Sequence, residues 1–157
     1  MTEVPQIRSA VAGEREALSE LHRRSSYVWE GDRADLDAHP DALGVAAEAI
    51  AAGRVRVAVG TGGAPVGFSV VAERPDGVCE LDDLFVEPRL MRRGIGRALV
   101  EDAAARAVRA GSAEMSVVAH PRNFAFYESV GFVVGEPVAT RFGPAVKLRR
   151  RLGRGGE

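Results

Sequence analysis

Cysteine occurs once in the 157 residues, at Cys79. No internal disulfide can therefore staple the chain, and no Cys/His cluster has the spacing of a zinc site, so no metal is expected. A lone thiol fits a reducing compartment, and at this position it reads as a small buried hydrophobe rather than a nucleophile. Excess charge of either sign is also missing. With 21 basic and 22 acidic residues the net charge is −1, so no global field draws the chain to nucleic acid or to a membrane surface. A basic run does occur near the end, at Lys147-Leu-Arg-Arg-Arg151 with Arg154. It has no interleaved aromatics and reads as a solvated strand end. No stretch approaches the roughly 18 apolar residues of a membrane span, and the N-terminal MTEVPQIRSAV has no basic flank followed by an apolar run. The expectation is a soluble, cytoplasmic protein without a membrane or nucleic-acid partner. Internal repeats and low-complexity segments are absent as well.

What remains is an ordinary globular composition. A hydrophobic content of 46% over this length is enough for a single core, so one domain is expected over residues 1–152, with 153–157 as a disordered tail. Val4–Ala10 alternates in part and predicts a first strand. Gly13–Trp29 has acids early (Glu14, Glu16), bases late (His22, Arg23, Arg24) and Leu18, Leu21 and Val28 on one side, the pattern of a helix that obeys its dipole. Asp41–Ala52 is alanine-rich and stops at Gly53, a second short helix. Three strands follow, Arg54–Val59, Pro65–Glu73 and Val78–Val86, separated by glycine- and proline-containing turns. Beyond a further helix, Ala113–Ala119 predicts a strand, Asn123–Val130 a short helix, and Phe132–Ala139 and Ala145–Leu152 two last strands. The order β-α-α-β-β-β-α-β-α-β-β implies an α+β domain with a mixed sheet.

The most informative stretch is Leu81–Gly111, LDDLFVEPRLMRRGIGRALVEDAAARAVRAG. It reads as an apolar strand, a basic turn and a helix in direct succession. The helix carries Ile95, Leu99, Ala103 and Ala107 at four-residue spacing, an apolar stripe suited to packing on a sheet, with Asp102 and Arg106 as an i,i+4 pair and Gly111 as its stop. The turn holds Gly94 and Gly96, which let backbone approach a ligand, among Arg89, Arg92, Arg93 and Arg97. A helix N-terminus presents unpaired N–H groups and positive dipole, so a turn of this kind makes a seat for an anion, and phosphate is the natural one. It is not a Walker loop, because no Gly-Lys-Ser/Thr follows. It is also a poor dinucleotide fingerprint, with Leu99 in place of the third glycine.

Met91-Arg-Arg-Gly94-Ile-Gly96 resembles the acetyl-CoA-binding motif Q/R-x-x-G-x-G/A of the GCN5-related N-acetyltransferase (GNAT) superfamily, and Asn123-Phe-Ala-Phe-Tyr127-Glu-Ser-Val-Gly131-Phe132 resembles that family's N…FYxxxGF segment. The resemblance implies an acyl-CoA N-acyltransferase (GNAT) fold, an α/β (α+β) architecture with a mixed twisted sheet of about seven strands and helices on both faces. One departure stands out. Met91 occupies the Q/R position, so phosphate contact shifts to backbone amides and to Arg89, Arg92 or Arg93. The implied cofactor contacts are Leu84, Phe85, Val86, Met91, Arg92, Arg93, Gly94, Ile95, Gly96, Arg97, Ala98, Asn123 and Tyr127.

The implied reaction is direct attack of a primary amine, on a small molecule or a protein, on acetyl-CoA used as co-substrate. A non-catalytic acyl-CoA sensor or scaffold is the alternative. The enzyme must position two substrates, stabilise an oxyanion and manage protons. Leu84–Val86 offers backbone groups to the pantetheine arm and an N–H to the oxyanion. A thiol of pKa about 8.5 can leave with a proton from a phenol of pKa about 10, which assigns that role to Tyr127. The base is sought among Glu80, Asp82 and Asp83. Glu80, six residues before Val86, matches the glutamate of the histone-acetylating branch and is favoured. His120, ahead of Pro121, is weighed as a substrate-side residue against a loop cap. Tyr27, Trp29 and Glu30 are candidate walls of the acceptor pocket. With Asp32, Asp35, Asp37 and Asp41, Glu30 also gives this segment an acidic character that would attract a cationic amine. A homodimer is left open.

Overall fold

The computed structural model describes residues 6–26, 46–74, 76–140 and 143–153. Their elements are β1 (Gln6–Ser9), α1 (Arg15–Ser26), α2 (Ala47–Ala51), β2 (Val55–Val59), β3 (Pro65–Glu73), β4 (Val78–Val86), α3 (Ile95–Arg109), β5 (Glu114–Ala119), α4 (Phe124–Ser129), β6 (Val133–Thr140) and β7 (Gly143–Arg151). The expected order is observed, and where both ends lie in the described residues the boundaries move by a residue or two. The first helix starts later than its sequence pattern because Ala12–Glu14 forms a 3₁₀ turn. The Val11 N–H donates to the Glu14 carboxylate (3.0 Å), which Arg8 grips with two N–H groups at 2.8 and 2.7 Å.

The seven strands form one sheet in the order β1-β2-β3-β4-β5-β7-β6. It is mixed: β4–β5 is parallel, whereas β1–β2, β2–β3, β5–β7 and β6–β7 are antiparallel. A parallel pair needs a long crossover, and α3 supplies it.

The described residues form two compact units. One lies within Met1–Val70 and Asp83–Leu99, the other within Val71–Asp82 and Val100–Glu157, so the boundaries fall inside β3, β4 and α3. In the first unit the sheet is covered on both sides. Leu18 and Leu21 of α1 and Ala49 and Ile50 of α2 pack with Val55, Val57, Phe68 and Val70. On alternate strand positions, Ala58 packs with Ile95 and Leu99 of α3, joined by Ile7, Val66, Leu84, Val86 and Leu90. Strand alternation and the four-residue stripe of the helix together dictate this sorting. Each fully buried Leu or Phe stabilises by roughly 1.5–3 kcal/mol.

In the second unit, Cys79, Leu81, Met115, Val117 and Leu148 are buried, as are Val100, Ala103, Ala104 and Ala107 of α3. The β4–β5 ladder runs from Val78–Glu114 to Leu81–Val117, so β4 extends five residues beyond it. Cys79 is the buried hydrophobe anticipated: burial, reinforced by Glu73, Asp82 and Glu80, pushes its thiol up to about 11, which suppresses the reactive thiolate.

Candidate active site

The basic turn belongs to the first unit. Leu90 N–H donates to the Glu87 C=O (2.8 Å) and opens a short 3₁₀ turn at Pro88–Leu90. Arg92 has φ 66 and Gly94 φ 87. A non-glycine residue in the left-handed region costs of order 1–3 kcal/mol, and such strain concentrates at ligand-binding turns. The first i→i−4 bond of the helix runs from Ala98 N–H to Gly94 C=O (3.0 Å), so the N–H groups of Ile95 and Gly96 precede it. No acid occurs in the first turn of α3, and nothing anionic there competes for the dipole. A Cβ on Gly94 would meet no protein atom within 4 Å. That opening lies on the surface of the turn, where a phosphate could approach the backbone. Arg92, Arg93 and Arg97 are exposed around it, and Met91, at the position of the motif's Gln or Arg, is 47% exposed.

The end of β4 is held firmly in the same unit. Leu84 and Val86 pack beside Ile95 and Leu99, while Phe85 turns to the α1 side, 4.2 Å from His22 and 5.6 Å from Phe68 between ring centroids. The Ser25 hydroxyl donates to the Val86 C=O (2.9 Å). Glu87 donates its N–H to Val66 C=O (2.8 Å), and its buried carboxylate accepts two N–H groups of Arg24 at 3.2 and 2.8 Å. Arg89 stands 3.6 Å from the other carboxylate oxygen. Sequence reasoning singled out Leu84–Val86 but missed Glu87, Arg24 and Ser25. The only local signal is a carboxylate wedged between a strand and Pro88.

Tyr127, Asn123, His120 and Glu80 lie in the second unit. Tyr127 is buried in α4, edge-on to Phe126 and Phe132 at 5.1 and 5.5 Å. Its carbonyl accepts from the N–H groups of Val130 (3.1 Å) and Phe132 (3.0 Å). The end of this helix is also tied down by Arg150, which donates to Val130 C=O (3.1 Å) and to Glu101 (2.6 Å). Asn123 closes the 3₁₀ turn Pro121–Asn123 that leads into α4. His120 caps that turn, its Nδ1 accepting from Arg122 N–H (3.1 Å). In the neutral ring this assigns the proton to Nε2.

Glu80 lines a polar groove of about 410 Å³ with Arg74, Asp76, Val78, Glu114, Ser116, Lys147 and Arg149. Its carboxylate accepts from Arg74 Nε at 2.9 Å, and Arg74 Nη2 lies 2.7 Å from the same oxygen. Tyr27, Trp29 and Glu30, with the acidic positions 32–41, lie outside the described residues. No cluster of three or more metal-ligating side chains occurs among the described residues, and no helix among them is long and apolar enough to cross a membrane.

Sequence and fold comparisons bear on the family and the fold. The profile of the Acetyltransferase (GNAT) family matches residues 15–132, three quarters of the chain, so the protein belongs to the GNAT acetyltransferase family. No curated protein matches it. Among solved structures, the PaiA N-acetyltransferase of Thermoplasma acidophilum, in complex with coenzyme A, is similar at 18% identity and a TM-score of 0.74, covering 95% of this chain and 99% of that one. A ribosomal-protein alanine N-acetyltransferase of Escherichia coli is similar at 20% identity and 0.70, covering 98% and 97%. A phosphinothricin acetyltransferase of Sinorhizobium meliloti, in complex with AcCoA, is similar at 20% and 0.68, covering 96% and 90%. At these identities the likeness establishes the fold.

Proposed function

We propose that this chain is an N-acetyltransferase that binds acetyl-CoA at the turn 91–98 and transfers its acetyl group to a primary amine of a small molecule or a protein by direct attack. The observation that carries the reading is the anion seat: Arg92 and Gly94 in the left-handed region, N–H groups preceding the helical ladder, and no acid in the first turn of α3. Two of the similar structures hold coenzyme A or AcCoA, which supports the same choice of ligand.

Met91, Arg92, Arg93, Gly94, Ile95, Gly96, Arg97 and Ala98 would hold the diphosphate, with Asn123 a further contact. When bound, acetyl-CoA supplies an activated thioester. The backbone of Leu84, Phe85 and Val86 orients the reacting group and offers an N–H where negative charge develops, as a pre-organised neutral donor does. Tyr127 holds the proton destined for the thiolate. Glu80 relieves the amine of its proton, and in this reading the cationic amine displaces Arg74 from the carboxylate. Tyr27, Trp29, Glu30 and His120 are assigned to the acceptor side. We take residues 1–152 as a single catalytic domain. Exposed Met91 favours a second reading, an acyl-CoA sensor with no turnover, because it removes a side-chain contact the motif usually provides.

Thiol release from acetyl-CoA, measured over a panel of amines, polyamines, amino acids and peptides, tests the assignment. Tyr127→Phe is expected to lower kcat about 100-fold or more while coenzyme A affinity by calorimetry stays within about twofold. An unchanged kcat removes Tyr127 from the mechanism, and no turnover with any amine favours the sensor.

A further inference from the structure

The reading above leaves unused a set of contacts between the end of α1 and the end of β4. Three successive residues of the chain are each engaged by the helix: Phe85 by His22, the Val86 carbonyl by Ser25, and the Glu87 carboxylate by Arg24. His22 and Ser25 are three apart and so share a helix face. The partners are 61 and 63 residues apart in sequence, so tertiary folding alone brings them together.

Glu87 is the centre of this arrangement. Its side chain is 10% exposed, and a carboxylate buried to that degree destabilises the fold unless it is paired and hydrogen-bonded. Arg24 meets that need through two donors on one oxygen, with Arg89 near the other. Apolar residues would secure a strand end at lower cost, but they would not fix its direction as hydrogen bonds at 2.8–3.2 Å do. The main chain of Glu87 is also committed on both sides: its N–H bonds to β3, and its C=O starts the turn that becomes the anion seat. The residue therefore joins the strand that would carry the thioester to the turn that would carry the diphosphate.

We propose that Arg24, Ser25 and Glu87 form a latch that sets the orientation of the β4 end, making them positioning residues for acetyl transfer more than for coenzyme binding. This role rests on the acetyltransferase reading. The anion seat is built from residues 91–98, and its backbone hydrogen bond from Ala98 N–H to Gly94 C=O does not pass through the Arg24–Glu87 side-chain contact. Coenzyme binding is therefore expected to survive loss of the latch. The Leu84–Val86 backbone loses its anchor, and misplacement by an ångström is sufficient to slow a reaction strongly.

The test uses the full chain and the variants Arg24→Met, Glu87→Gln, their double, Ser25→Ala and Arg24→Lys, each checked for folding by circular dichroism. For Arg24→Met and Glu87→Gln, kcat is expected to fall about tenfold, with the coenzyme A dissociation constant, from calorimetry, within about threefold of the parent. The double variant should be no slower than the worse single one, because both remove the same contact. Arg24→Lys should recover part of the rate. Ser25→Ala should fall by a few fold, and it provides the reading if either ion-pair variant fails to fold. Folded variants with an unchanged kcat overturn the latch alone, as does a loss confined to coenzyme A affinity. A parent protein that neither binds coenzyme A nor releases thiol overturns the acetyltransferase reading and this role with it.

Discussion

An arginine–glutamate pair occurs in both units, in opposite settings. In the first, the Glu87 side chain is 10% exposed and ties a helix end to a strand end. In the second, Glu80 with Arg74 is 32% exposed and Glu136 with Arg149 is 51% exposed, along open strand faces. The chemistry is the same and the arginines are similarly exposed, at 50%, 50% and 43%, but only the first pair has its carboxylate withdrawn from the solvent that screens it. Exposed pairs contribute little to stability and exchange partners readily. A pair with a buried carboxylate is costly to break because it strands that charge. The Glu87 pair thus uses charge to fix backbone, whereas the Glu80 and Glu136 pairs keep their charges available at the surface. That availability is what the proposed exchange of Arg74 for an amine at Glu80 requires.

Substitutions that act on one unit only sharpen this contrast. The largest effect is expected at the anion seat. Gly94→Val puts a branched side chain at φ 87 and into the opening that the protein leaves. Coenzyme A affinity should fall about 100-fold by calorimetry, with the fold retained, if close backbone approach is what the site needs. A loss of less than threefold would place the diphosphate elsewhere.

A smaller effect is expected where the end of β4 meets β3 and α3. A Cβ on Gly67 would lie 3.0 Å from the Phe85 carbonyl oxygen, 3.1 Å from Leu99 Cδ1 and 3.2 Å from Ile95 Cγ2. The first of these is backbone of the β4 end, next to the Val86 carbonyl that Ser25 holds. Gly67→Ala should therefore destabilise by about 1–3 kcal/mol in urea denaturation. No loss of stability would mean that the strand end yields easily, against the latch.

The smallest effect is expected at an ion pair of intermediate exposure. Hydrogen bonds from Arg8, assisted by Val11 N–H, hold the Glu14 carboxyl below its ordinary value. A group with a depressed folded pKa adds stability that is present above its unfolded pKa, about 4.3, and lost as pH falls through the folded value. Glu14→Gln should lower stability by about 1 kcal/mol or less at pH 7 and converge with the parent below that range. Curves that stay parallel down to low pH would assign the effect to packing.

Much of this protein was legible along the chain because its signals are local. The Leu18, Leu21 and Ile95, Leu99, Ala103, Ala107 spacings declare helices and their buried sides, and each of those side chains is buried. The glycine- and arginine-containing turn was legible for the same reason: strand, glycines, arginines and helix are contiguous, and helix termini carry their electrostatics wherever they occur. The opposite held for Glu87, Arg24 and Ser25. Beyond the Pro88 that follows it, nothing in the sequence sets Glu87 apart from Glu73 or Glu101, since what distinguishes it is burial against a helix that ends more than sixty residues earlier. Likewise Glu80 became a candidate through its resemblance in position to a glutamate of the histone-acetylating branch, but only the folded sheet set Arg74 against it. Periodicity and dipole act over a few residues and are written in the order of amino acids. Desolvation and pairing of a charge depend on which distant segments close around it, and that is decided by tertiary packing.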